Sequence, residues 1–141
     1  MPTISKVFID TNVFVALKDD RDSTHQKAII LTNKFKNTYA DFYTSSDVIG
    51  ETLTVISQKL GKTQAIEFLK EIPFIAKEIF IDENIHKAAR KLYRRVKSKN
   101  ISFIDCSSAV AMKRNKIKVI FSFDEDFKSL GVNLAADFFQ N

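Results

Sequence analysis

The chain has 141 residues, 45% of them apolar, which is enough core for one ordinary domain, expected to run over residues 1–141. A single cysteine, Cys106, excludes an internal disulfide and a cysteine-based zinc site, and the glycines, Gly50, Gly61 and Gly131, are too few for a phosphate-cradling loop. The net charge of +5 is unevenly placed: residues 84–118 carry eleven basic side chains against one acid and reach +10, leaving the rest of the chain at −5. Such a segment suits a polyanionic partner; its plainer reading is a solvated cationic helix face.

In chain order, residues 7–9 (Val-Phe-Ile) read as a buried strand that stops at the polar triplet Asp10, Thr11, Asn12. Asp10 also interrupts the N-terminal apolar stretch before it reaches signal-peptide length, and no long uncharged apolar run follows, so a soluble, cytoplasmic protein without membrane contact is expected. A short helix over residues 13–18 follows, then a second helix capped by Ser23 and carrying Ala28, Ile29, Leu31 and Phe35. Residues 41–44 read as another strand. Ser46 or Asp47 caps a helix that holds Val48, Glu51, Leu53, Val55 and Ile56 and stops at Gly61. Thr63 caps the next helix, which Pro73 closes, and residues 79–81 form a third strand.

Asp82 then caps a helix over about residues 84–98, with Ile85, Ala88, Ala89, Leu92, Tyr93 and Val96 as its apolar stripe and Lys87, Arg90, Lys91, Arg94 and Arg95 outward. Ser102 opens a helix through about residue 115, residues 118–122 make a fourth strand, and residues 132–134 add a short edge strand. Strands separated by helices predict parallel crossovers: an α/β fold, a three-layer α/β/α sandwich around a central, mostly parallel sheet of four or five strands.

Four acids sit in apolar surroundings, where an unpartnered carboxylate costs several kcal/mol or gives up its charge. Asp10 and Asp124 each follow an apolar strand, and the crevice beyond the strand ends of an open parallel sheet is where ligands bind. Asp105 lies in the first turn of its helix, and Glu51 lies between Val48, Ile49 and Leu53. Each also has a plainer reading: Asp10 as a helix cap, Glu51 as an exposed helix acid, Asp105 as a charge favoured by the helix dipole, Asp124 as a turn residue. Carboxylates converging in one cleft repel, and oxygen-only ligation selects a hard divalent cation, Mg²⁺ or Mn²⁺, with a phosphodiester as the natural substrate.

The segments FIDTNVFVAL, SSDVIGETL, ISFIDCSSAVAMKRNKI and VIFSFDEDF, in this order, resemble the PIN-domain family over nearly the whole chain. The resemblance implies an α/β/α sandwich and a Mg²⁺- or Mn²⁺-dependent ribonuclease whose metal-site acids are Asp10, Glu51, Asp105 and Asp124, with Asp126 as a lesser candidate beside Asp124. Asn12 and Ser122 match positions that hydrogen-bond a ligating carboxylate. It further implies service as the toxin of a VapC-type toxin–antitoxin pair, a cognate antitoxin partner and a homodimer. Arg90, Arg94, Arg95, Lys113 and Arg114 are the expected contacts to RNA phosphates. The rival readings are a stand-alone RNA-processing nuclease, a non-catalytic RNA- or protein-binding module, and an aspartyl-phosphate phosphatase, which Asn12 disfavours by standing where that class needs a second acid.

His25 and His86 lack metal-ligand partners in the sequence and read as structural or solvated, and Cys106 reads as a small buried residue. Phe42, Tyr43, Phe74, Phe80 and Tyr93 are of a type that can stack on bases, but aromatics at these spacings usually belong to the core, and no base-reading residue is assigned. Leu53, Ile56, Leu69 and Ile72 offer an apolar stripe that either covers the sheet or serves a protein interface.

Overall fold

In the computed structural model, which describes residues 4–140, the apolar triplet of residues 7–9 lies in the middle strand of a five-stranded sheet. That strand, β1 (Lys6–Ile9), pairs with β2 (Asp41–Ser45) on one side and β4 (Val119–Phe121) on the other. β3 (Lys77–Ile79) and β5 (Asn133–Leu134) form the two edges, giving the order β3-β2-β1-β4-β5 with every pairing parallel. Parallel strands need crossovers, and the helices supply them: α1 (Thr11–Lys18) and α2 (His25–Phe35) lead to β2, α3 (Ser46–Leu60) and α4 (Lys62–Ile75) to β3, and α5 (Glu83–Arg95) and α6 (Phe103–Arg114) to β4. A 3-10 turn, Glu125–Leu130, precedes β5, and the short α7 (Ala135–Phe138) follows it.

Registered neighbours share a face of the sheet, so Val7, Ile9, Phe42, Val119 and Phe121 lie together. Phe35 of α2 packs edge-on against Phe42 at 5.3 Å and against Phe139 at 5.0 Å, and at 5.4 Å from Phe121, which fixes α2 on this face. The opposite face carries Lys6, Phe8, Tyr43 and Ile120; Lys6 Nζ donates to the Asn115 carbonyl just past α6, at 3.1 Å, which places that helix end there. The three-layer α/β/α sandwich expected from the sequence is therefore present, with five strands. Among the described residues no helix is long and apolar enough to cross a membrane.

Several local expectations are corrected. The cap of α3 is Ser45, whose hydroxyl accepts from Val48 N–H, rather than Ser46 or Asp47; Ser46 instead accepts from Ile81 N–H at 2.8 Å. That bond turns Ile81 out of the sheet, so β3 runs two residues earlier than expected, with Ile79 opposite Ser45. α2 begins after Thr24, not Ser23, because Asp22 accepts from both the Thr24 N–H and its hydroxyl. α4 starts after Gly61 rather than at a Thr63 cap and runs through Pro73 to Ile75; the burial of Phe68 and Ile72 holds its last turns despite the missing N–H. α5 ends at Arg95, three residues short of the expected 98, where Val96 takes an extended conformation.

The side-chain expectations divide similarly. Ile56 and Ile72 belong to the core, whereas Leu69 is exposed, as are Ile66, Phe74 and Ile75 of the same helix. Phe42 and Tyr43 pack against the core, but Phe74, Phe80 and Tyr93 do not: they are 92%, 73% and 49% exposed. Helical spacing alone does not separate a side chain facing the sheet from one on the flank of the same helix.

Candidate functional site

The chain order passes from β1 to β2 on one side and reaches β4 on the other, so the sheet reverses direction of growth between β1 and β4. Crevices at such reversals, beyond the strand C-termini, are the ligand sites of open parallel sheets. Asp10 stands there. Its N–H extends the β1–β4 ladder by donating to Phe121 O at 3.1 Å, and its backbone occupies the cap position of α1 while its side chain makes no cap bond. The carboxylate instead accepts from Ser122 Oγ at 2.9 Å, across the sheet.

Ser122 is the hub of this corner. Its hydroxyl gives its proton to Asp10 and accepts from Asn12 Nδ2 and from Asp124 N–H, each at 3.1 Å, so its hydrogen-bonding capacity is used in full. Asn12 Oδ1 in turn accepts from Phe123 N–H at 3.3 Å. Asp124 caps the 3-10 turn with one oxygen, accepting from Asp126 N–H at 2.9 Å, which leaves its other oxygen free. Asp126 is half-buried and enters the network through its backbone.

Asp105 arrives from α6. Ser102 and Asp105 form a capping box, in which the serine hydroxyl accepts from Asp105 N–H at 3.0 Å and Asp105 Oδ2 accepts from Ser102 N–H at 2.9 Å. The helix-start reading of Asp105 is thus correct, and one carboxylate oxygen still remains. Glu51 sits half-buried in the second turn of α3.

Asp10 and Asp105 both feel the neighbouring acids. Burial pushes the Asp10 carboxyl up to about 7; the Ser122 and Thr11 hydrogen bonds oppose this, and the negative charges of Asp105 and Glu51 reinforce it. Burial likewise raises Asp105, opposed by its bonds to Ser102 and reinforced by Asp124 and Glu51. Cys106 is buried and its thiol is raised, by burial first and Asp105 second, so the helix start does not activate it. Among the described residues no Lys or Arg pairs with Asp10, Glu51, Asp105 or Asp124. The corner is a set of crowded oxygen donors with no protein cation to balance them, a donor chemistry that fits a hard divalent ion. Among the described residues no group of three or more such side chains is placed, as it stands, to hold a metal ion.

Sequence reasoning missed a second tie in this region. Asp47, in the first turn of α3, accepts from Ser107 Oγ of α6 at 2.8 Å and so links the helices that carry Glu51 and Asp105. The acid in SSDVIGETL was visible, but its partner lies sixty residues away on another helix. Thr11 and Thr52, hydrogen-bonded at 3.2 Å, likewise join α1 to α3. Ser108, one turn beyond Asp105, is fully buried, and among the described residues its hydroxyl has no partner.

The cationic residues are placed unequally. Arg90, Arg94 and Arg95 are exposed on α5, which packs against the start of α6 through contacts of His86 and Tyr93 with Phe103. Lys113 and Arg114 are exposed at the far end of α6, about 12 Å along the helix from Asp105. His25 is structural: its Nδ1 lies 2.6 Å from the Ala16 carbonyl.

A family model described as the PIN domain matches residues 7–133. The chain belongs to the PIN-domain family. Ribonuclease VapC1 of Aquifex aeolicus is 33% identical over 130 residues, spanning 88% of this PIN chain and 85% of the relative. The 23S rRNA-specific endonuclease VapC20 of Mycobacterium tuberculosis is 25% identical over 130 residues, spanning 89% and 94%. The crystal structure of Mycobacterium tuberculosis VapC20, a Sarcin-Ricin loop cleaving toxin, superposes with a TM-score of 0.79 at 24% identity, covering 89% of this chain and 95% of that one. VapBC2 from Rickettsia felis, bound to a DNA fragment, superposes at 0.63 with 16% identity, covering 92% and 96%. At these identities the superpositions establish the PIN fold.

Proposed function

We propose that this chain is a Mg²⁺- or Mn²⁺-dependent endoribonuclease and the toxin of a type II toxin–antitoxin pair. The observation that carries the reading is Asp10: a carboxylate 5% exposed, at the reversal point of the sheet, crowded by other acids and paired with no cation. A fold keeps such a group at a cost, and a metal-binding role accounts for that cost. Asp10, Glu51, Asp105 and Asp124 are the residues that would hold the ion, with Asp126 supporting Asp124 through the 3-10 turn. When bound, a divalent ion supplies charge to the scissile phosphate and lowers the pKa of a coordinated water.

The chain's own groups do the positioning. Ser122 fixes the orientation of Asp10, Asn12 fixes Ser122, and the capping box fixes Asp105, so the Asp10 and Asp105 carboxylates are held before any ligand arrives. The α5 cations Arg90, Arg94 and Arg95 would hold the RNA backbone, with Lys113 and Arg114 reached only by a longer strand. Hydrolysis is expected to leave a 5′-phosphate and a 3′-hydroxyl. The sequence likeness to Ribonuclease VapC1 supports the substrate class, and the likeness in fold to VapC20, described as a Sarcin-Ricin loop cleaving toxin, is in keeping with the toxin role. The exposed apolar side chains of α4, Ile66, Leu69 and Phe74 among them, support a homodimer and an antitoxin contact.

Cleavage of mixed RNAs by the purified chain tests the reading. Cleavage that requires Mg²⁺ or Mn²⁺ and is abolished by Asp10→Asn or Asp105→Asn is expected, and undiminished cleavage in either variant refutes the site. Co-expression with the neighbouring reading frame tests the toxin role; cleavage without co-purification or relief of growth arrest would favour a stand-alone RNA-processing nuclease.

A further inference from the structure

Beside the acidic corner, three rings of α5 and α6 form a cluster that the metal site does not use. Phe103 is the first residue of α6. His86 lies 5.0 Å from it, and Tyr93 lies 6.2 Å from it. His86 and Tyr93 are seven residues apart and Arg90 falls between them at helical spacing, so α5 presents a ring, a guanidinium and a ring along one face. Phe103 is half-buried against the small cluster of Ala89, Ile101 and Cys106, while Tyr93 is 49% exposed and Arg90 is exposed. Asp105 is two residues beyond Phe103 in the same turn and about 200° further round α6, so the rings lie on one side of this helix start and the carboxylate on the other, across about one helix width, 10–12 Å.

We infer that Tyr93, packed with His86 against Phe103, is a stacking platform for one base of single-stranded RNA that flanks the cleaved linkage across the start of α6, with Arg90 holding the adjoining backbone. The inference rests on the ribonuclease reading and adds a residue that selects how the strand lies. Charge commits the occupant: the platform sits within the +10 segment, beside acids that repel any anion unless its backbone is held by cations. An aromatic ring flanked by arginine is the combination that binds single strands through base faces and phosphates together. A ring serving only the core would be covered, as Phe8 and Phe68 are; Tyr93 keeps half its surface open over a ring that is itself anchored.

The test uses short single-stranded RNA oligonucleotides carrying 2-aminopurine at successive positions, titrated against wild type, Tyr93→Ala, Tyr93→Phe and Arg90→Gln, with cleavage of the same strands followed in Mn²⁺. Quenching at one position is expected in the wild type and in Tyr93→Phe. In Tyr93→Ala the quenching should disappear and affinity should fall roughly 5- to 150-fold, with the salt slope unchanged. Arg90→Gln should instead lower the salt slope and keep the quenching. If the wild type binds and cleaves RNA but Tyr93→Ala matches it in quenching and affinity, the platform is refuted and the nuclease reading stands. If the wild type neither binds nor cleaves RNA, the nuclease reading falls and the platform falls with it.

Discussion

Replacing Asp10 by Asn should make the metal-free protein more stable at neutral pH, an unusual outcome for a buried site residue. The carboxyl titrates at about 7 in the fold against an ordinary 3.8, so between those values the folded state keeps a proton that the unfolded chain has released. Fewer protons on the unfolded state mean that stability falls as pH rises through this window and stays lowered above it. Three pH units at about 1.4 kcal/mol each put the cost of ionised Asp10 on the order of 4 kcal/mol above pH 7. Asn is isosteric, and its Oδ1 can still accept from Ser122, so the variant removes the charge and keeps the bond. Urea unfolding in chelator at pH 4, 5.5 and 8 measures the effect, since the other titrating groups are common to both proteins. The variant should match the wild type to within about 1 kcal/mol at pH 4 and exceed it by several at pH 8. A difference independent of pH, or a variant less stable at pH 8, would refute the burial of an uncompensated charge at this position.

Three further outcomes are expected. Saturating Mn²⁺ should stabilise the wild type by about 2.7 kcal/mol at a hundredfold excess over its dissociation constant and Asp10→Asn far less; equal melting shifts would remove Asp10 from the metal site. Ser122→Ala strips Asp10 of its hydroxyl donor and leaves Asn12 and the Asp124 N–H without their acceptor, so it should cost about 1–3 kcal/mol in thermal or urea unfolding and raise the Asp10 pKa further, readable by carboxyl NMR titration. Replacing Arg90, Arg94 and Arg95 together with Gln should weaken RNA binding and reduce the slope of log affinity against log salt by nearly three, whereas an unchanged slope would make the α5 face a merely solvated one.

The sequence made the fold legible where one local signal had one meaning. An apolar triplet running into Asp10 located the central strand, and Ser102 and Asp82 cap α6 and α5 as expected, each accepting from the N–H three residues on. It was ambiguous where several residues could do the same job. In Ser45-Ser46-Asp47 any member can cap a helix; the choice of Ser45 follows from the pairing of β2 with β3 and the diversion of Ser46 to Ile81, neither of which is local. Asn12 and Ser122 were expected near the acids, and they meet each other at 3.1 Å across 110 residues of sequence. The Asp47–Ser107 bond and the exposure of Tyr93 were out of reach, because both depend on how α3, α5 and α6 pack, which no single helix encodes.

The acids also show how the corner is built from ordinary helix starts. A carboxylate at a helix cap usually satisfies an N–H and contributes about 1 kcal/mol, so a cap that leaves the ladder unserved is a loss that local stability cannot explain. Asp10 is such a case: its backbone caps α1, and its side chain turns away to Ser122. Asp105 and Asp124 take the intermediate course, each giving one oxygen to its own turn and holding the other in reserve. The hydrogen bonds fix the direction of each carboxylate, and the spare oxygens are left among one another's negative charge. What stabilises each turn therefore also assembles a cluster of unbalanced acids, and the proposed cation would relieve the largest cost at Asp10, where burial is deepest.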